Sequence, residues 1–178
     1  MPSRKIIVHI ATSADGYIAR PDGDIDWLIS RPAPEGFYGI DAFRKTIDTT
    51  VYGRKTYDAS RRLGEKFDGD DRTVVFSRQP KPADAPPQVE FTSEPVGGWA
   101  RRMREMPGKD IWLMGGGELI ADFLDAQAID EFVITVVPVF IGDGIPLIGR
   151  RRRETLLELR SVEKFDDGLV QLHYLVQR

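Results

Sequence analysis

The sequence predicts an α/β fold: a mixed, mainly parallel central sheet with helices on both faces and a C-terminal antiparallel hairpin. Three observations predict it. Short β-branched runs alternate with stretches of near-helical spacing through the middle of the chain. Several of those runs end on glycine just before a helix-like segment, as the strands of a parallel sheet do. The last two apolar runs flank Asp166-Asp167-Gly168, an Asp-Gly turn signal. A length of 178 residues with 41% hydrophobic content suits one domain, residues 1–178, with a sizeable core.

Each element has its own reason. Lys5–Ala11 is β-branched and apolar and reads as the first strand; Asp15-Gly16 breaks it and Tyr17–Ala19 resumes an extended course. Residues 20–39 are rich in Pro, Gly and Asp and read as a long functional loop, with Trp27-Leu28-Ile29 as an apolar island. Ile40, Phe43 and Ile47 give Phe37–Ile47 near-helical spacing. Thr49–Tyr52 is a strand that ends at Gly53, and Lys55–Arg62 a helix that follows it. Arg72–Ser77 is a strand, four prolines make 79–88 a connection, and Val89–Phe91 is a brief strand. Pro95–Met106 is a helix stopped by Pro107-Gly108. Asp110–Met114 is a strand, Glu118–Leu124 a helix, and Ile129–Val137 the strongest strand, interrupted by Pro138. Thr155–Phe165 and Leu169–Val176 form the closing hairpin.

Composition excludes several functions. With 25 Lys and Arg against 28 Asp and Glu, the net charge of −3 does not suit a protein that coats nucleic acid. The absence of cysteine removes disulfides, Cys-ligated zinc and thiol nucleophiles. His9 and His173 are the only histidines and form no metal-ligand motif, so no metal is expected. Met1–Lys5 leads into an apolar run too short for a signal peptide or a membrane span. A cytoplasmic protein that acts on a small molecule, without nucleic acid or membrane as partner, is the expectation.

Three strand ends suit a phosphorylated ligand. At Gly53-Arg54-Lys55-Thr56 a strand closes on glycine and two cations open a helix, where free N–H groups attract anions. The alternative there is a glycine strand end followed by solvated basic residues. Gly115-Gly116-Gly117 lets a ligand approach the backbone, whereas a tight turn alone needs one glycine. Ile120 excludes the dinucleotide fingerprint, and the lack of Gly-Lys-Ser/Thr excludes a P-loop. Ser77-Arg78 closes a third strand and could meet a ribose phosphate, against an ordinary polar exit. The acidic loop Asp22–Trp27 offers Asp26 as a general acid, although a solvated loop anchored by Trp27 fits it better. The run Arg150–Arg153 reads as a solvated face. Both histidines read first as satisfied core residues.

These motifs in their order resemble the dihydrofolate reductase-like superfamily. The carriers are Asp15–Ala19, Asp26-Trp27, Gly53–Thr56, Val75–Arg78, Gly115–Gly117 and Val137–Val139. Val137–Leu147 is most similar to the reductase domain of riboflavin-biosynthesis deaminase-reductases. The resemblance implies a three-layer dihydrofolate-reductase-like fold and NADPH as hydride donor. It implies that Gly53, Arg54, Lys55 and Thr56 serve the cofactor phosphates and that Ser77 and Arg78 meet the adenosine 2′-phosphate. By the same resemblance Gly115, Gly116, Gly117, Glu118 and Leu119 present backbone N–H groups to the pyrophosphate, with a cis peptide at Gly115–Gly116. Ala11 and Ile18 match positions that frame the nicotinamide, and His9 and Thr135 match pocket positions. His9, Thr135 and Asp26 are therefore the candidate catalytic residues. The folate-binding acid falls near Gly39, and Asp41, two residues on, turns by about 200° to the far helix face. The implied function is an NADPH-dependent reductase of a small heterocycle or ribosylamino-pyrimidine, working as a homodimer. The alternatives are a dihydrofolate reductase and a non-catalytic NADP(H)-binding protein.

Overall fold

The computed structural model describes residues 3–32, 34–69 and 71–177; Met1 and Pro2, at the start of the segment read above, and Arg178 lie outside them. Among the described residues, ten strands and five α-helices follow one another: β1 (Ile6–Ser13), β2 (Tyr17–Ala19), α1 (Asp26–Ile29), α2 (Ile40–Arg44), β3 (Ile47–Gly53), α3 (Arg54–Arg62), β4 (Arg72–Phe76) and β5 (Glu90–Thr92). Then come α4 (Val96–Glu105), β6 (Asp110–Gly115), α5 (Gly117–Asp125), β7 (Glu131–Val137), β8 (Ile145–Pro146), β9 (Leu157–Lys164) and β10 (Val170–Val176). Eight strands form one sheet in the order β5-β4-β3-β6-β1-β7-β10-β9, and β2 pairs with β8 in a separate two-stranded ribbon. The first six strands of that order run parallel; β10 is antiparallel to β7 and to β9.

Alternation of side chains along β1 divides the layers. Ile6 and Val8 point into a core with Trp99 and Met103 of α4 and Ile120 and Phe123 of α5. On the opposite face Tyr57 of α3 packs with Tyr52, Phe67 and Val75. Farther along that second face Trp27 of α1 packs with Ala11, Val137 and Leu169. Helices therefore cover both faces, as the alternation of apolar runs predicts.

Ion pairs close the amino ends of the strands. Arg4 is buried, pairs with Asp48, and donates to Thr49 Oγ1 at 2.8 Å and to the Lys109 carbonyl at 2.5 Å. Asp130 accepts from the Ile6 N–H at 2.8 Å and from Arg104 at 2.7 Å. A side chain at Gly108, whose φ is +153°, would overlap Asp48 and crowd the Arg4 guanidinium.

Two sequence expectations need correction. Phe37–Ile47 is not one helix: Gly36, Phe37, Tyr38 and Gly39 all have positive φ, so a left-handed turn precedes the short α2, and Ile47 already belongs to β3. L-residues adopt that turn at a cost of roughly 1 kcal/mol or more each, which tertiary contacts must offset. The 20–39 stretch is not wholly loop, because Asp26–Ile29 forms one helical turn that buries Trp27.

Candidate active site at the carboxyl ends of the parallel strands

Two helix N-termini meet above the sheet. β3 ends at Gly53 and passes directly into α3; β6 ends at Gly115 and enters α5 through Gly116. Neither helix has a side-chain cap, so no capping side chain answers the first-turn N–H groups of Arg54–Thr56 and Gly117–Leu119, which are the candidate anion donors. The two starts touch: a Cβ on Gly53 would lie 3.5 Å from the Gly115 carbonyl and the Gly116 nitrogen, and one on Gly116 would lie 3.0 Å from Thr56 Oγ1. The Gly115–Gly116 peptide is cis, as the resemblance implies.

Packing explains the glycines as well as any ligand does. Gly115 has φ +104°, and a Cβ on Gly117 would overlap the Pro146 carbonyl. The segment after β7 returns over the rim as a strap. Gly149 N–H donates to the Gly117 carbonyl at 2.8 Å, and Leu147 N–H to Gly16 at 3.1 Å. Asp15 holds the same strap, accepting from Gly142 N–H at 2.8 Å and Ile141 N–H at 3.2 Å. Ile18 reaches within 3.9 Å of a Cβ on Gly116, so β2 lies beside the glycine rim.

The cations divide into engaged and open groups. Arg54 Nε donates to Asp58 at 2.9 Å, and its guanidinium stands 5.8 Å from the Phe91 ring centre. Lys55 and Arg78 are exposed, and neither makes an ion pair among the described residues. Ser77 follows β4, which pairs in register with β3 so that Phe76 stands beside Gly53; its hydroxyl closes a turn with Gln79. Leu119 puts its side chain in the core and can offer only its N–H, while Glu118 turns its carboxylate to Arg151 at 2.9 Å. Arg151 and Arg153 of the arginine run fasten their segment to α5 through Glu118, Asp122 and Asp125.

The second face supplies the other half of the site. Strand registry sets Ala11, Thr135 and Gln171 in one row and His9, Val133 and His173 in the next. His9 is 6% exposed, stacks on Phe43 with centroids 4.7 Å apart, and meets the edge of Trp112 at 6.4 Å. Burial, and then the nearby His173, push its pKa down to about 4, so the ring is neutral at physiological pH. It makes no side-chain hydrogen bond among the described residues. Thr135 is buried and its Oγ1 accepts from Gln171 Nε2 at 2.9 Å. Asp26 is exposed and pairs with Arg20 at 2.6 Å, which holds its carboxyl below the usual range. As a proton donor it would have to leave that pair.

His173 departs from the core reading. Its side chain is 34% exposed and lies 2.8 Å from Glu131, which also receives Lys5. Burial alone would raise the Glu131 carboxyl; hydrogen bonds to Lys5 and His173 outweigh it and hold the pKa below its ordinary value. Asp41 is exposed, and Phe43 is the α2 residue that stacks on His9. Among the described residues no group of three His, Asp or Glu is placed to hold a metal ion.

Sequence reasoning gave no site role to Gly144, Tyr38 or Gln171, and none to Asp15 beyond its place in the Asp15–Ala19 motif. Gly144 had a local signal, the Gly-Asp-Gly turn, but its role is distant: a side chain there would overlap the Ala19 carbonyl. Gln171 had none, since it is an ordinary polar residue of a terminal strand.

Comparison with known proteins agrees with this architecture. The RibD C-terminal domain model matches residues 4–171. The uncharacterized protein YwjB of Bacillus subtilis strain 168 is 41% identical over 173 residues, covering 97% of this chain and 98% of YwjB. A crystal structure from Shewanella sp. PV-4, described as that of a candidate riboflavin biosynthesis protein, has a TM-score of 0.81 at 29% identity, covering 98% of this chain and 99% of that one. The diaminohydroxyphosphoribosylaminopyrimidine deaminase/5-amino-6-(5-phosphoribosylamino)uracil reductase of Thermotoga maritima has a TM-score of 0.73 at 18% identity. This chain spans 57% of the Thermotoga chain and shares its fold.

Proposed function

The chain belongs to the RibD C-terminal domain family of reductase-like proteins, and from that premise we propose that it is an NADPH-dependent reductase of a ribosylamino-pyrimidine. The observation that carries this reading is the meeting of two uncapped helix N-termini beside the open cations Lys55 and Arg78. One cluster of N–H donors and positive charge suits a pyrophosphate, and a second cation on the neighbouring strand end suits a further phosphate. The N–H groups of Arg54–Thr56 and Gly117–Leu119 hold the bridging phosphates in this reading. Arg54 and Lys55 add charge, and Ser77 and Arg78 take the 2′-phosphate.

Ala11 and Ile18 frame the nicotinamide, which when bound supplies the hydride. The acceptor lies on the second face over the Ala11–Thr135–Gln171 row. Hydride goes to its carbon and a proton to the neighbouring heteroatom. Neutral His9 orients that pocket and does not supply the proton; Asp26 stays ionised beside Arg20, so water is the proton source. The Thermotoga relative's name points to 5-amino-6-ribosylamino-uracil compounds, with or without phosphate, as the acceptors to try.

A homodimer is part of the proposal. Every residue of β9 is exposed, and Leu157, Leu159 and Val162 stand in register with Val176, Tyr174 and Leu172 on the face that holds the main core. A second copy would cover that apolar strip. Light scattering on the purified protein checks it, with Val162→Asp expected to give monomer. No helix among the described residues is long and apolar enough to cross a membrane.

The deciding experiment is a calorimetric titration with NADPH and, in parallel, NADH, followed by NADPH oxidation in the presence of the aminouracil acceptors. Micromolar binding with preference for NADPH, then turnover, is expected. No binding of either nucleotide would remove the reading; binding without turnover would leave an NADP(H)-binding protein.

A further inference from the structure

The second face is shut where the acceptor row lies. His9 is 6% exposed, and Thr135 and Trp112 are each 5% exposed, which leaves no room for a flat ring beside them. Their cover is the segment from Gly36 to Arg44. Phe43 of α2 stacks on His9 with 24° between the ring planes and meets Trp112 edge-on at 5.4 Å. The Tyr38 carbonyl accepts from Gln171 Nε2 at 3.1 Å, and the same amide donates to Thr135 Oγ1 at 2.9 Å.

The cover is held more loosely than what it covers. None of residues 37–44 is buried, and Phe37 is 51% exposed. Gly36, Phe37, Tyr38 and Gly39 stand in succession at φ 75°, 47°, 55° and 82°. A side chain on Gly36 or Gly39 would meet nothing within 4 Å, so those positions need glycine for their backbone alone. Phe37 and Tyr38 lack that freedom, and contacts elsewhere must offset their strain. Such contacts are made to the β9–β10 turn: the Tyr38 hydroxyl donates to the Asp167 carboxylate, and its ring meets Phe165 at 5.0 Å. A segment with no buried anchor and a strained backbone, tied down at Tyr38 and Phe43, opens at low cost.

We infer that Gly36–Arg44 is a lid over the second face, that the Tyr38–Asp167 hydrogen bond is its latch, and that the hydride acceptor enters by displacing Phe43 and stacking on His9 in its place. Phe43 shows that a flat ring fits against His9, with centroids 4.7 Å apart. Its departure leaves a slot beside His9 and Trp112 that continues, one row on, to Ala11 and Thr135. The closed form lowers the apparent affinity for the acceptor by the fraction of molecules that are open. The placing of the acceptor rests on the reductase reading. The lid is a property of the free protein and can be tested without ligand.

His9 and His173 are the only histidines, which gives the test its own control. Diethyl pyrocarbonate acylates neutral imidazole, and peptide mass spectrometry reads the two sites separately. In the free protein at neutral pH, His9 under Phe43 should react at least about tenfold more slowly than His173, whose side chain is 34% exposed. Tyr38→Phe and Asp167→Ala should each speed His9 about fivefold, the loss of one exposed hydrogen bond, and leave His173 unchanged. The double variant should be no faster than either single one, because both remove the same bond. Phe43→Ala should bring His9 close to the rate of His173, after which the latch variants should add nothing. On the NADP-loaded protein, calorimetry with 5-amino-6-ribosylaminouracil should give about fivefold tighter binding to each latch variant. His9 reacting as fast as His173 in the unaltered protein, or at a rate that neither latch variant changes, would overturn the lid. A faster His9 with acceptor affinity unchanged or lowered would overturn entry past Phe43. Failure to bind NADPH would remove the reductase reading and leave the lid to be decided by the His9 rates.

Discussion

The two ends of the sheet are built on opposite plans. At the amino ends the main charges are paired: Arg4 with Asp48, Thr49 and Lys109, Arg104 with Asp130, and Lys5 with Glu131. At the carboxyl ends helix starts go uncapped, Lys55 and Arg78 stand without ion pairs, and glycines bring main chain against main chain. The same strands carry both ends, so the difference comes from the residues at their tips. Satisfied charge closes a structure and leaves nothing for a ligand; unsatisfied N–H groups and open cations cost stability and leave a site.

Removing a staple should damage folding and spare binding. Arg4→Ala leaves Asp48 and Thr49 short of their partner and should lower the unfolding free energy by about 3 kcal/mol in a urea titration. NADPH affinity should stay within about twofold. A large loss of affinity would mean that the two ends are not separable.

Between the ends lies His9, and acid should find it. Its pKa is about 4 in the folded protein against an ordinary 6.5, so the unfolded chain binds the extra proton in that window. The stabilising contribution is complete above pH about 6.5 and is lost as pH falls toward about 4, amounting to about 3 kcal/mol. The Glu131 carboxyl, held low by Lys5 and His173, adds to the loss in the same direction. His9→Gln should flatten the stability profile between those two values. An unchanged profile would remove His9 as its source, because the Glu131 contribution is lost only below the carboxyl's ordinary value of 4.5.

At the carboxyl rim the pattern should reverse. Arg78→Ala is expected to weaken NADPH by about tenfold, the loss of a charge-assisted phosphate contact, while NADH changes by less than about twofold. Unfolding free energy should move by no more than about 0.5 kcal/mol. The smallest effect belongs to Lys55→Ala, about threefold on both nucleotides and weaker still in high salt, because the side chain is exposed. A stability loss in either variant would show that the rim, too, is held together by its charges.

Most of the fold was legible because its signals are local. β1, β3, β6 and β7 announce themselves as β-branched runs, and the hairpin turn at Asp166–Gly168 follows from an Asp-Gly pair. The glycine half of the site was legible for the same reason, since a strand end and a helix start are neighbours in sequence. The left-handed turn at Gly36–Gly39 was not, because Phe37 and Tyr38 carry no preference for it and Tyr38 is held by Asp167 and Gln171, more than a hundred residues away. The strap over the rim escaped likewise: Ile145 and Pro146 form a strand only because β2 lies beside them. Pairings made across the chain leave no periodic trace in either partner.

The glycine rim has a consequence for descent. Gly115 needs its φ of +104°, and Gly116 and Gly117 lack side chains because Thr56 Oγ1 and the Pro146 carbonyl take the space. Selection for folding alone would preserve them, whatever the protein binds. A descendant that had abandoned the nucleotide would therefore keep the glycine triplet and still look like a reductase. Lys55 and Arg78, which no ion pair among the described residues retains, would drift first. The fate of those two cations, rather than of the glycines, would record when the chemistry was lost.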